Sequence, residues 1–462
     1  MSSRLRTRHI AGRSRPHLWA VACAALVMGA AAVGPAVPVL AAASAAGGLP
    51  GWYLATQPSD VFSEAPAVAC ESGGPDCAAI GAGTACAKMV GTICVAQRNF
   101  NVAEYSRDGG ASWQVAPVPP AADGQFIDLA SVSCARAGRG RTDCAAWAML
   151  VPGVGASPSE EAAYFSSNGG ASWSVASPPV PVGQTAWQAP VVSCYEVHLT
   201  VVCAGAPDSV GTVYSANGGA AWALSSYSQS PSFGSLTAQD LSCAIGRGQM
   251  DCAAVGYLFD TVTSRPVDTA WYSTDGGAKW APGSLEQREG ELNTVSCVAA
   301  RGQVHCAALG TETTDGITAN VAVHSQDGGK SWSTSVFPAH TVLPSPWGNV
   351  SCAAGGSQVD CAASGSTLLF SGDGGATWVK ATDPNGAWGD IDCLPAAPAP
   401  SCYVVGARAA YSGSGGATWS ASKVAKGFDV EDSMLRDNIA CAYAGDCVVA
   451  GTAELFTTNP AG

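Results

Sequence analysis

A nine-residue motif recurs seven times in this chain of 462 residues. Each copy reads an aromatic residue or His, Ser, any residue, Asp or Asn (Ser once), two Gly, any two residues and Trp, as in the stretch from Tyr272 to Trp280. Repetition of this kind makes each repeat a structural unit that cannot bury its apolar face alone, so neighbouring units must stack. The copies lie 41 to 60 residues apart and end at Trp113, Trp173, Trp222, Trp280, Trp332, Trp378 and Trp419.

Each repeat contains four short apolar runs. Val-Ser-Cys or a close variant comes first, and a second Cys with small apolar residues follows. In the repeat that ends at Trp332, we predict strands from 292 and at 304–310, 320–325 and 330–336. The Asp-Gly-Gly turn joins the last two, because Asp-Gly suits tight turns with positive φ. No long segment shows helical periodicity. Four strands in about 50 residues are typical of a propeller blade, so we predict an all-β, single β-propeller of four-stranded antiparallel blades.

The two ends of the chain complement each other. The stretch from Gly51 to Gln57 is similar to a fourth strand without its turn, and the stretch from Cys441 to Asn459 is similar to the first three strands. We predict that they pair as one composite blade, which closes a ring of eight blades and removes open sheet edges. A seven-bladed ring with a loose terminal unit is the alternative.

The first 46 residues are predicted to be a signal peptide, and residues 47–462 the propeller. Five Arg precede an uncharged apolar run at 18–33, and small residues follow it. Their removal leaves 17 Lys and Arg against 35 Asp and Glu, a net charge of −18. This acidity disfavours nucleic acids and anionic membrane surfaces as partners. We therefore expect a secreted, extracellular monomer with no membrane insertion after signal cleavage.

The cysteines predict a disulfide-stapled fold. The chain has 19 Cys, and Cys23 lies in the apolar run of the signal, which leaves an even 18 in an exported chain. In the first repeat, Cys70–Cys94 with a nested Cys77–Cys86 competes with Cys70–Cys77 and Cys86–Cys94. The other predicted pairs are Cys134–Cys144, Cys194–Cys203, Cys243–Cys252, Cys297–Cys306, Cys352–Cys361, Cys393–Cys402 and Cys441–Cys447. No Cys-x-x-Cys occurs and the His residues are scattered, so we predict no metal and no cofactor.

The repeat resembles the Asp-box, also called the BNR repeat, whose consensus is Ser-x-Asp-x-Gly-x-Thr/Ser-Trp. Ser106 to Trp113 and Ser371 to Trp378 fit it throughout, and the resemblance covers nearly all of residues 47–462. It implies a sialidase-like propeller with the boxes at the outer edge, away from any active site. A short carboxylate or amide accepts hydrogen bonds from backbone N–H groups of its own turn. We therefore predict structural roles for Asp108, Asn168, Asn217, Asp275, Asp327, Asp373 and Ser414.

Candidate functional residues lie at the opposite face, where the first strands begin. A polar residue stands three positions before the first Cys in five repeats, beside the expected central channel. The simpler role for these side chains is to face the water in the channel. The alternative is catalysis, in which two of the carboxylates would act as a pair. These residues are Asp240, Thr294, Asn349, Asp390 and Asn438.

Three tryptophans near the same face are binding candidates, because an exposed Trp stacks on sugar rings. They are Trp187, Trp347 and Trp388, and half-buried packing over the blade is the competing and simpler role. The segments that join the second and third strands are predicted to be long at 148–163, 257–270 and 310–320 and short in the last three units. This asymmetry predicts a pocket on one side of the ring.

Propellers that resemble this one include sialidases, other glycoside hydrolases, sortilin-type receptors and photosystem II assembly factors, so the fold does not transfer an activity. Arg is scarce and the sialidase Arg-Ile-Pro sequence is absent. We predict a non-catalytic binding or scaffold protein whose partner is a glycan or an extracellular protein. The candidate binding residues are Trp187, Trp347, Trp388, Asn349 and Asn438. The alternative is a glycoside hydrolase that uses Asp240 and Asp390, since such enzymes need two carboxylates.

Overall fold

The computed structural model describes a long series of segments from Gly51 to Thr458. They are residues 51–58, 66–90, 93–120, 125–138, 140–151, 160–177, 190–207, 211–228, 236–260, 265–314, 316–338, 349–356, 358–365, 367–382, 389–406, 408–425, 439–443, 446–451 and 455–458. The predicted signal peptide at 1–46 lies outside them. Every regular element in these segments is a β-strand, and none of them contains a helix that would span a bilayer.

The described strands form eight sheets. In each sheet we call the strand that contains the first Cys of the pair the first strand, and the sheets are numbered by the order of these strands along the chain. Sheet 8 therefore includes the N-terminal β1 as its fourth strand. Sheet 1 contains β2 (Ala67–Cys70), β3 (Cys77–Val90), β4 (Ile93–Ser106) and β5 (Gln114–Ala116). Sheet 2 contains β6 (Phe126–Ala137), β7 (Arg141–Val151), β8 (Glu160–Ser166) and β9 (Ser174–Val175). Sheet 3 contains β10 (Val191–Val197), β11 (Thr200–Ala206), β12 (Val213–Ser215) and β13 (Ala223–Leu224). Sheet 4 contains β15 (Leu236–Gly246), β16 (Gln249–Asp260), β17 (Arg265–Ser273) and β18 (Lys279–Pro282), with β14 (Ser226–Tyr227) added in parallel at its edge.

The remaining sheets follow the same antiparallel order. Sheet 5 contains β19 (Gly290–Ala300), β20 (Gln303–Thr314), β21 (Ile317–Ser325) and β22 (Ser333–Thr334). Sheet 6 contains β23 (Val350–Gly355), β24 (Gln358–Ala363), β25 (Leu369–Ser371) and β26 (Val379–Lys380). Sheet 7 contains β27 (Ile391–Leu394), β28 (Ser401–Val405), β29 (Ala409–Ser412) and β30 (Ser420–Ala421). Sheet 8 contains β31 (Ile439–Tyr443), β32 (Asp446–Ala450), β33 (Leu455–Thr457) and β1 (Tyr53–Leu54).

Sheet 8 confirms the predicted pairing of the two chain ends. Tyr53 pairs with Thr457 and Leu54 with Phe456, antiparallel. The first strand of each sheet contacts the first strand of the next, and β31 returns to contact β2. This cyclic contact of four-stranded sheets is the arrangement of a β-propeller.

A hydrogen bond from the motif Trp joins most neighbouring sheets at the outside. Its backbone N–H donates to a carbonyl at the end of the preceding fourth strand. Trp52 makes the same bond, to Lys423 at 2.7 Å, so it takes the motif position in sheet 8. The pairs are Trp52–Lys423, Trp113–Thr56, Trp173–Pro117, Trp222–Ser177, Trp332–Ser284, Trp378–Val336 and Trp419–Thr382.

The second Gly of each motif lets the sheets approach closely. Its φ is positive, and a Cβ there would lie 2.1 to 3.0 Å from the residue after the second Cys of the preceding sheet. That residue is therefore small in six of seven cases. The contacts are Gly110–Val448, Gly170–Ala78, Gly219–Ala145, Gly277–Ala204, Gly329–Ala253, Gly375–Ala307 and Gly416–Ala362.

Val448, opposite Gly110, is the larger residue among these seven. In sheet 7 the residue after the second Cys is Tyr403, which faces no such Gly. The next sheet takes its fourth strand from the N-terminus and has no Gly-Gly turn there. The space is filled instead by the two rings of Tyr403 and Trp52, edge to face with centroids 6.4 Å apart.

The seven predicted disulfides are present, each between directly paired residues of the first and second strands. Cys70 bonds to Cys77, which excludes the nested alternative in sheet 1. The side chains of Cys86 and Cys94 lie outside the described part of the chain. Cα–Cα distances are 4.0 or 4.1 Å in all eight bonds among the described residues.

The predicted long connections are wrong in two cases, because most of each segment is strand. β16 continues to Asp260 and β17 begins at Arg265, while β20 continues to Thr314 and β21 begins at Ile317. Pro266 reads as a strand breaker, but it occupies the second position of β17, where a missing N–H donor is tolerated. In the segment 148–163, β7 ends at Val151 and β8 begins at Glu160.

Candidate functional site

The first strands of all eight sheets enclose a central channel of about 340 Å³. Because these strands run in one direction, their starts lie at one face, together with the hairpins between second and third strands. We call this the loop-rich face. The channel wall combines small apolar residues with polar ones, among them Ser133, Tyr195, Asp240, Thr294, Asn349, Ser351, Asp390 and Asp392.

Repeated Ser-Cys pairs build a series of hydrogen bonds between neighbouring sheets along the channel wall, which we call the inner belt. The residue before the first Cys accepts a bond from the N–H of the first Cys in the next sheet. Its side chain thus satisfies a donor that faces the neighbouring strand. Five such bonds, each 2.9 Å long, join Ser133 to Cys194, Ser242 to Cys297, Ser296 to Cys352, Ser351 to Cys393 and Asp392 to Cys441.

Removing one inner-belt acceptor is expected to destabilise the ring. In Ser296→Ala, the N–H of Cys352 loses its partner between two strands, which costs about 1–2 kcal/mol of unfolding free energy. Urea unfolding with intact disulfides measures the loss. Ser333→Ala, on the exposed outer strand of the same sheet, is the matched control and should change stability by less than about 0.5 kcal/mol. Equal effects of the two variants would contradict a role for the belt.

The candidate carboxylates Asp240 and Asp390 line the mouth of the channel and tie adjacent sheets together. Asp240 accepts from the backbone N–H of Leu241 and of Val295, both at 2.8 Å. Asp390 accepts from the N–H of Ile391 at 2.8 Å and of Ile439 at 3.2 Å. Both carboxylates therefore bond the backbone of the following sheet.

Asn349 lies at the same mouth and connects to Asp390. Its Nδ2 donates to Oδ1 of Asp390 at 2.9 Å, and its backbone exchanges bonds with Ser364. Trp187, Trp347, Trp388 and Asn438 lie outside the described residues. The structure thus brings Asn349 and Asp390 together and places Asp240 and Thr294 on the same wall.

Asp392 and Tyr195 also line the channel, although the sequence did not indicate either as a candidate site residue. Asp392 takes the inner-belt position that Ser holds in most repeats. Enclosure by the strands raises the pKa of its carboxyl to about 7, although bonds from Cys441, Cys393 and Ser351 oppose the rise. Burial, and then the charge of Asp392, raises the pKa of Tyr195 to about 12. The sequence held one signal for Asp392, because most other repeats have Ser directly before the first Cys.

The motif carboxylates and amides lie away from the channel, at the turns between third and fourth strands. Oδ1 of Asp108 accepts from the hydroxyl of Ser106 at 2.8 Å and the N–H of Ser112 at 2.9 Å. Burial pushes the pKa of Asp108 upward, but these bonds outweigh it and hold the pKa below its usual value. The corresponding bonds recur at Asn168, Asn217, Asp275, Asp327, Asp373 and, through its hydroxyl, Ser414.

Among the described residues, no three His, Cys, Asp or Glu side chains converge as metal ligands would. The channel offers hydrogen-bond acceptors and one carboxyl that takes up a proton near neutral pH. Its chemistry therefore fits polar recognition and, at Asp392, proton exchange.

No family model matches this chain, and no curated protein matches it. Several solved structures are similar over most of its length. Sqt1 of Saccharomyces cerevisiae has 11% identity and a TM-score of 0.47, and covers 87% of this chain and 97% of its own. YCF48 from Cyanidioschyzon merolae has 11% identity and a TM-score of 0.42, with 88% and 98% covered. A PL25 ulvan lyase has 10% identity and a TM-score of 0.44, with 75% and 92% covered.

Proposed function

We propose that this protein is an exported, monomeric, eight-bladed propeller that binds a glycan or an extracellular protein through its loop-rich face without catalysis. Export is supported by the Arg-rich start followed by an apolar run and by the eight disulfides, which form in oxidising compartments. The Asp-box resemblance and the boxes' position at the turns support the view that the opposite face is the one that binds.

The uneven height of the ring supports a binding role for that face. The second strands of sheets 1, 2, 4 and 5 have 11 to 14 residues. Those of sheets 3, 6, 7 and 8 have five to seven. Among the described residues, the long hairpins of sheets 1, 2, 4 and 5, interrupted by the short sheet 3, stand on one side of the channel mouth opposite the shorter hairpins of sheets 6 to 8, so we infer a concave surface there. Concave surfaces of this kind are the usual ligand sites of proteins.

The bonding of Asp240 and Asp390 is the observation that favours binding over hydrolysis. Each carboxylate accepts two backbone N–H bonds and holds neighbouring strands. A glycosidase pair needs one group to carry a proton and one to face the sugar carbon, with both free to change partners. Acceptors fixed by backbone donors are better suited to maintaining the ring.

A glycoside hydrolase remains the second candidate because of Asp392. Its pKa of about 7 keeps part of the population protonated at neutral pH, as a general acid requires. Asp390 lies two residues before Asp392, directly before β27, and would be the accompanying carboxylate.

A depletion assay with a matched turnover assay tests the proposal. The mature protein is incubated with a panel of purified polysaccharides and extracellular proteins, and both bound protein and released reducing ends are measured. We expect saturable binding without product. Asp240→Asn and Asp390→Asn should lower stability yet retain binding, and Asp360→Asn, between sheets 6 and 7, is the control for a buried carboxylate away from the mouth.

Product release that is lost in both Asp240→Asn and Asp390→Asn, but kept in Asp360→Asn, would replace the binding role with a glycosidase. Product release that is lost only in Asp392→Asn would identify Asp392 as the general acid of a glycosidase. Failure of every glycan and protein to bind would contradict a recognition role for this face.

A further inference from the structure

The interface between sheets 8 and 1, which we call the seam, closes the ring with the two ends of the chain. Its apolar layer includes Val68, Ala79, Val102, Val448 and Leu455. Thr56 crosses it, because its N–H donates to Ala111 at 3.0 Å and its carbonyl accepts from Trp113 at 2.7 Å.

No inner-belt bond from a described side chain of sheet 8 crosses the seam. Ala440 and Ala69 hold the positions before the first Cys in sheets 8 and 1, where Ser or Asp stands in the other six. An Ala side chain accepts no hydrogen bond, so the N–H of Cys70 finds no acceptor in Ala440. The seam, like the interface between sheets 1 and 2 where Ala69 cannot accept from Cys134, therefore depends on its apolar layer more than the interfaces that have an inner-belt bond.

A carboxyl group is buried in that layer. Glu104 lies on β4 directly opposite Ala79 and two residues from Val102, so its side chain shares their face. It has no exposed surface, and neither Oε1 nor Oε2 has a hydrogen-bond partner. The same position, two before the motif Ser, is apolar or aromatic in other sheets: Tyr164, Val213, Trp271, Val323, Leu369 and Ala410.

Among the side chains that the structure describes, the elements packed around Glu104 bring no cation to it. In sheet 8 the one charged residue among the described strands is Asp446, at the start of β32, and Tyr53 lies exposed on β1. In sheet 1, Arg107 turns to Asp76 and to the carbonyl of Asn168, and Asp108 is bound in its own turn. Lys88 and Arg98 lie toward the hairpin end of β3 and β4, and their side chains lie outside the described part of the chain. Burial alone raises the pKa of Glu104 to about 7.

We propose that Glu104 is a proton-sensitive latch of the seam: the ring is fully closed when this carboxyl is neutral, and the seam loosens when it ionises. A buried charge without a partner is costly, and the simplest relief is to open the interface to water. Opening breaks the two bonds of Thr56 across the seam, to Ala111 and from Trp113, whereas the bond from Ala55 to Leu455 lies within sheet 8 and can persist.

The direction of the pH effect follows from linkage. The pKa is about 7 in the closed ring and 4.5 when the group is exposed. Between these values the closed form binds more protons, so its stability falls as pH rises from 4.5 to 7 and levels off above. The opening equilibrium of the seam should increase on the order of 50-fold between pH 5 and pH 7.5, and little beyond pH 8.

Amide hydrogen exchange of the disulfide-intact protein measures this directly. Protection of the Thr56 and Trp113 amides, corrected for intrinsic rate, should fall by that factor in the wild type. The equivalent amide of Trp332, which donates to Ser284 between sheets 4 and 5, serves as the internal control. In Glu104→Gln, an isosteric neutral variant, the fall should disappear, while Asp360→Asn should keep it.

Three results overturn the latch. One is a wild-type seam whose protection does not change between pH 5 and 7.5, a result that needs no variant to fold. Another is an equal loss of protection at Trp332, which would indicate loosening of the whole ring. The third is a Glu104→Gln protein whose seam keeps the pH dependence of the wild type.

Discussion

Gly277→Ala is expected to destabilise the protein by about 3 kcal/mol. Gly277 has φ +89°, and an added Cβ would lie 2.7 Å from Cβ of Ala204 in the preceding sheet. The left-handed conformation costs an L-residue about 1–2 kcal/mol, and overpacking of two sheets that cannot separate costs about 1–3 kcal/mol more. The free energy of unfolding in urea, measured with disulfides intact, reports the loss.

Gly248→Ala separates the two contributions within the same sheet. Gly248 has φ +77°, but no atom lies within 4 Å of its added Cβ. Only the backbone strain remains, so the expected loss is about 1 kcal/mol. If the two variants lose equal stability, the close contact between sheets contributes nothing and the motif Gly serves its turn alone.

The repeat made the architecture predictable because its period and its Asp-Gly-Gly turn fix one sheet per unit. The sequence alone did not explain why the residue after the second Cys is small. That residue contacts the Gly-Gly turn of the next sheet, which lies some 70 residues later in the chain. Ala204 and Gly277 illustrate this separation. Tyr403 shows the converse, because its bulk marks the one sheet that is followed by no such turn.

The site was less predictable than the fold, because its residues act across sheets. Asp240 and Asp390 stood out as acids near a channel, but their acceptor roles depend on N–H groups that lie 55 and 49 residues away, respectively. Asp392 differs from its equivalents by a single Ser-to-Asp exchange whose effect on pKa comes from enclosure. Glu104 lies between Ala103 and Tyr105, and no neighbouring residue in the sequence indicates that its side chain is buried between sheets 8 and 1.

The composite sheet gives Trp52 an importance that a terminal residue rarely has. Trp52 is 2% exposed and packs with Tyr403, Val405 and Phe456. Its N–H bond to Lys423 repeats the bond of the other motif Trp residues. In a seven-bladed ring with a loose terminal unit, the same residue would be free to move and its loss would be nearly neutral.

Trp52→Ala is therefore expected to cost about 3–5 kcal/mol of unfolding free energy, the range for a large aromatic removed from a core. It should also raise amide exchange along residues 439–457, because β33 loses the partner strand that Trp52 anchors. Trp52→Phe retains an aromatic ring against Tyr403 and should lose less than half as much. Val424→Ala, an exposed apolar residue beside Lys423, controls for general effects near the terminus. A loss below about 1 kcal/mol in Trp52→Ala would mean that the N-terminal strand does not close the ring.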